Sequence, residues 1–189
     1  MSEKISLTRE QYLDSLAQLI ASGQDLSARL SMTQFTWQPN GGERWSVAEC
    51  LDHIAVSNEA YLDALESAAS EASAGRESGI FRTAGFPSAK FVRDLEPPVR
   101  TRIPAPGKIR PRPTLNPEGI LPNYVKTLER IFQFARSSEM KDLNAVRFPN
   151  PFIPLLRFTV GTGLLIVTAH ARRHLWQADQ VTHQPDFPS

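Results

Sequence analysis

From Leu7 to Leu30 the apolar side chains fall at Tyr12, Leu13, Leu16, Leu19, Ile20, Leu26 and Leu30, a spacing that keeps returning to one helical face. It predicts a first helix over about residues 8–30. Thr8 and Gln11 have the spacing of a capping box, and Leu7 and Tyr12 occupy the two positions of a hydrophobic staple. A second capping box, Ser46-Val47-Ala48-Glu49, opens a run in which Val47, Leu51, Ile54, Leu62 and Leu65 form one stripe. Asp52, Glu59, Asp63 and Glu66 lie opposite, so a helix over about 46–72 is predicted, with a flanking strip of small residues at Cys50, Ser57, Ala60 and Ala64. Val125, Leu128, Ile131, Phe132 and Phe134 or Ala135 predict a third helix over about 122–138. A fourth, about 158–182, begins with the greasy run Phe158 to Ala169, which is closed by Arg157 on one side and by His170, Arg172 and Arg173 on the other. That run falls well short of the ~20 residues a membrane span needs and reads as a buried helix.

Between these elements the chain is rich in helix breakers. Residues 31–45, with Pro39, Asn40, Gly41 and Gly42, read as a loop. Nine of the 15 prolines lie between Pro87 and Pro122, and each removes a backbone donor, so residues 76–121 read as one long crossover loop. Pro149, Pro151 and Pro154 mark another loop. No strand signal of comparable strength and no internal repeat is present. The expected fold class is all-α, a four-helix bundle, in which the long Pro-rich crossover lets helices two and three run parallel.

Composition narrows the partners more than the fold. A length of 189 residues allows one domain with one sizeable core, expected to span residues 1–189. Twenty-one Lys and Arg against 20 Asp and Glu leave a net charge of +1, which excludes a polyelectrolyte binder. The single cysteine, Cys50, excludes an internal disulfide framework, and the opening MSEKISLTRE has no apolar leader core, so a cytoplasmic protein is expected. Charge is uneven locally: Arg76 to Arg112 holds nine basic and three acidic residues, a net of +6. Arg100, Arg102, Lys108, Arg110 and Arg112 could touch an anion or nucleic acid. With few aromatics and no nucleic-acid-binding motif around them, a solvated loop is the expected state, and nucleic acid is not an expected partner.

The residues with candidate chemistry sit on the second and fourth helices. His170 and His174 are one turn apart, about 40° around the axis, on a face shared with Gly163, Ile166, Val167, Gln177 and Val181. An i, i+4 pair can offer two nitrogens to one ion if other helices supply the rest. His53 offers a third ligand from the small-residue flank of helix two. The spacing fits two readings equally, a three-histidine metal site and a set of hydrogen-bonded core histidines. Cys50, one turn before His53, could be a soft ligand or reactive thiol, although a small buried cysteine is the commoner role. Glu49 could orient a ligand or act as a base, but its capping box already accounts for it. His183, on the opposite phase from His174, reads as a surface residue near a helix C-terminus. The segment His-Ala-Arg-Arg-His lacks the Glu of HExxH, and neither His53 nor His170 has a Glu three residues before it, which removes zincin and di-iron carboxylate chemistry. There is no phosphate-binding glycine loop and no Gly-x-Ser-x-Gly elbow.

The segments Trp45-Ser46-Val47-Ala48-Glu49-Cys50-Leu51-Asp52-His53 and His170-Ala171-Arg172-Arg173-His174-Leu175-Trp176-Gln177 together resemble the paired signatures of the DinB/YfiT-like superfamily. The resemblance implies a four-helix bundle of up-down-down-up topology, with one divalent metal, zinc or nickel, held by His53, His170 and His174 and completed by water. It implies a metal-dependent enzyme in which the ion activates a low-molecular-weight thiol or water for attack on a small electrophile, since some relatives are thiol-dependent S-transferases. A homodimer is compatible with it. Gln177, one turn past His174, is the candidate hydrogen-bond partner of a metal-holding histidine or of the substrate. The competing expectation is a non-catalytic metal- or ligand-binding stress-response module.

Overall fold

The structure is a computed structural model and describes residues 4–75, 78–99, 110–111, 116–138, 140–153 and 155–189. It is mostly helical. Four long helices, α1 (Arg9–Ala28), α3 (Val47–Ala69), α5 (Pro117–Ser137) and α6 (Val160–Thr182), carry most of the buried apolar surface, and two short ones, α2 (Met32–Thr36) and α4 (Phe86–Leu95), lie between them. α1 packs against α5 and α6, and α3 packs against the same two. Each long helix therefore has two long neighbours. No helix among the described residues is long and apolar enough to cross a membrane.

Local chemistry sets the helix starts. Thr8 and Ser46 accept from the backbone N–H groups of Gln11 and Glu49, and those side chains reach back to the cap backbone, so both expected capping boxes form. Ser31 and Gln34 make a third box, which starts α2 inside the segment expected to be a loop. Two hydroxyls then anchor the long helices across the core. Tyr12 donates to the Leu164 carbonyl of α6, and Tyr124 of α5 donates to the Leu19 carbonyl of α1. The Tyr124 ring lies against the backbone of Gly23, where an added Cβ would collide with it.

The structure corrects three further expectations. The segment 76–121 is not one loop, because it holds α4, the first residues of α5 and a strand. α4 begins with Pro87 in its first turn, where the missing N–H has no intrahelical partner to lose. α5 starts at Pro117 rather than at Pro122, which is carried inside the helix. Strands are also present: β1 (Ser6–Thr8) pairs antiparallel with β2 (Ile80–Arg82), and β3 (Arg147–Pro149) with β4 (Arg157–Thr159). Each is three residues long, too short for a period-two pattern to show. Arg110 is described, whereas Arg76, Arg100, Arg102, Lys108 and Arg112 of the basic segment lie outside the described residues.

Candidate metal centre

Helices α3 and α6 bring the three histidines together. α6 opens on Thr159, whose hydroxyl accepts from the Thr162 N–H, and Gly163 in its first turns lets Leu65 of α3 and the Phe148 ring pack against its backbone. Two turns on, His170 faces His53 with their Nε2 atoms 3.1 Å apart. The ring centroid of His174 lies 4.3 Å from that of His53 and 4.5 Å from that of His170. One nitrogen from each ring lies within 4.8 Å of the others. His53 is 1% exposed and His174 8%, while His170 is half-buried.

The donor set fits a small divalent ion. Nitrogens bound tetrahedrally at about 2.0–2.1 Å from zinc are roughly 3.4 Å apart, so the 3.1 Å pair needs almost no movement and the third ring a small one. Protonation also favours binding. Burial, the neighbouring histidines and the Arg173 charge hold His170 and His174 well below the usual imidazole range, leaving neutral rings with lone pairs to donate. In His174 the Gln177 Oε1 lies 3.0 Å from Nδ1. An amide oxygen only accepts, so Nδ1 carries the proton and Nε2 keeps its lone pair free.

The other sequence candidates take different places. Gln177 stands where expected, beside His174. Glu49 stays at its cap, accepting from the Ser46 N–H at 2.7 Å and from Gln38 Nε2 at 2.8 and 2.9 Å. Cys50 is fully buried in the core, and burial pushes its thiol far above the ordinary value. It is not part of the histidine group. His183 is exposed at the end of α6, beside Asp179.

Three features of the folded chain escaped the sequence reading. The Trp45 ring lies 4.8 Å from His53 and 5.8 Å from His174, centroid to centroid, and covers one side of the cluster. Its place at the head of the segment Trp45 to His53, whose pattern carries the family resemblance, was the available signal for this contact. The end of α4 is tied to the histidine-bearing stretch of α6: Arg172 grips the Glu96 carboxylate through two contacts of 2.6 and 2.8 Å, and Arg173 donates to the Asp94 carbonyl at 3.2 Å. Reading that segment as coil hid both contacts. Asp52, placed on the solvent side by periodicity, is buried at 1% exposure. The large open groove lined by Ala17, Ile20, Lys126, Arg130 and Phe132 shares no residue with the cluster.

The model of the family described as the DinB superfamily matches residues 12–178, a stretch that contains all three histidines, Trp45 and Gln177. No curated protein and no solved structure gives a match. The chain belongs to the DinB superfamily.

Proposed function

We propose that this DinB-superfamily protein is a metal-dependent enzyme whose site is His53, His170 and His174. The observation that carries the reading is the convergence of three imidazoles, two of them held neutral, from two helices onto one point. The ion is a divalent one, zinc or nickel, because neutral imidazole nitrogens suit those metals and no carboxylate among the described residues joins the group. Once bound with a coordination position left open, such an ion supplies Lewis acidity that makes a thiol or water nucleophilic near neutral pH. The chain's own residues do the rest. Gln177 fixes the tautomer and orientation of His174, Trp45 shields the His53 side from water, and the Arg172–Glu96 grip holds α4 beside the site. The reaction class is transfer of a low-molecular-weight thiol, or of water, to a small electrophile.

The architecture belongs to the same proposal. We read residues 1–189 as one domain, a four-helix bundle of up-down-down-up topology, acting in the cytoplasm. Cross-helix contacts support the directions. Tyr12 meets Leu164 while Leu26 and Leu175 share a surface groove, which fits α1 and α6 parallel. Arg9 reaches Ala135 while Tyr124 reaches Leu19, which fits α1 and α5 antiparallel. His53 meets His170 while Leu65 meets Gly163, which fits α3 and α6 antiparallel.

The test is turnover of small electrophiles with a panel of low-molecular-weight thiols, run on zinc- and nickel-loaded protein. Thiol-dependent turnover lost in His53→Ala supports the reading. Metal-loaded protein inert across the panel contradicts it and favours a site that binds without chemistry.

A further inference from the structure

We propose that the Ser57 hydroxyl is a ligand contact of the three-histidine site, giving a hydrogen bond to a small oxygen- or nitrogen-bearing molecule lodged beside His53; this rests on the metal-site reading above. Ser57 is 1% exposed, and its Oγ is the one buried side-chain polar atom among the described residues with no hydrogen-bond partner. A buried hydroxyl left unpaired opposes folding and returns nothing, and alanine would be the better helix former at this point of α3. Its position points to what offsets that cost. Ser57 follows His53 by four residues, so the two share one face of α3. The Cα–Cβ bonds of a helix tilt toward its N-terminus, which starts the Ser57 side chain toward the turn bearing His53. A hydroxyl has one hydrogen to donate, and a molecule drawn to a divalent ion is an anion or carries lone pairs, so the molecule Ser57 serves presents a nitrogen or oxygen acceptor to it.

Cobalt(II) loading provides a visible spectrum, and azide is a suitable probe because it is small, anionic and carries terminal nitrogen acceptors. Azide is titrated into cobalt-loaded wild type, Ser57→Ala and Ser57→Thr, and the melting temperature of each metal-free protein is measured alongside. The expected result is about tenfold weaker azide binding in Ser57→Ala, recovery in Ser57→Thr, and a melting temperature for Ser57→Ala at or above that of wild type. Azide affinity within twofold of wild type in Ser57→Ala overturns the proposal while leaving the metal site standing. A lower melting temperature in Ser57→Ala also overturns it, because the hydroxyl then has a partner in the fold. Failure of wild type to take up cobalt overturns the metal-site reading and this proposal with it, and the missing cobalt spectrum separates that outcome from the other two.

Discussion

Gly163→Ala sets two known effects against each other. In the interior of α6 alanine is favoured over glycine by about 0.5–1 kcal/mol, so a bare helix would gain. The structure opposes that gain, because a Cβ at position 163 would lie 2.7 Å from Leu65 Cδ2 and 2.7 Å from Cε1 and Cζ of Phe148. Both neighbours are enclosed, so moving either one disturbs the packing around it. Leu65 is fully buried, and Phe148 is 1% exposed with its ring held edge-on to Tyr61. Overpacking of this kind costs about 1–3 kcal/mol, and its central value of about 2 kcal/mol less the helix gain leaves a destabilisation of about 1–1.5 kcal/mol. For a chain of this size that corresponds to a fall in melting temperature of roughly 2–6 °C. Calorimetry on metal-free protein reads it, with urea unfolding as a check that the m-value is unchanged. The seam opened lies roughly 10 Å along α6 from His170, so metal affinity should fall less than it does when a histidine is removed. A melting temperature equal to or above wild type would refute the reasoning, since it would mean that α3 and Phe148 do not press on the α6 backbone at this point.

Other expectations follow from single contacts. His170 and His174 bind protons less readily in the folded chain than in the unfolded one, where imidazoles titrate near 6.5, so the unfolded state gains protons first as pH falls. Metal-free protein should therefore have its urea midpoint lowered on going from pH 7.5 to pH 5.5, and replacing both histidines by glutamine should flatten that slope. Gln177→Leu removes the acceptor that fixes the His174 tautomer and should weaken zinc binding by about 10–100-fold, measured by competition with a chelator, with little change in melting temperature. Arg172 and Glu96 are each about one-third exposed, so a double-mutant cycle to alanine should give a coupling of only about 0.5–1 kcal/mol; a value near zero would mean that α4 is held by its apolar face alone.

Much of this was legible because the signals are local. The Thr8 and Ser46 boxes are written in four residues each, the long helices repeat their apolar positions over many turns, and His170 and His174 sit one turn apart by spacing alone. His53 was harder, because its flank position becomes interior only once α3 is packed between α5 and α6. Asp52 shows the same limit in reverse, assigned to solvent by periodicity yet only 1% exposed in the folded chain. The start of α4 was hidden because Pro87 reads as a breaker when its place in the helix is unknown, and α2 was missed although Ser31 and Gln34 carried the box that had identified longer helices. The three-residue strands exist through pairing with distant partners, as between Leu7 and Phe81, and such pairing leaves no mark in either segment alone. Ser57 was seen only as a small residue in a strip; its unpaired hydroxyl is a property of the folded core.

The central claim is that three imidazoles from α3 and α6 hold one divalent ion. Metal content by mass spectrometry tests it most directly, on untagged wild type beside the His53→Ala/His170→Ala/His174→Ala variant, each exposed to zinc and nickel and then freed of loose ions. About one ion per chain in wild type and none in a variant that still folds is the predicted result. Equal metal content in the two proteins, or none in wild type, would contradict it.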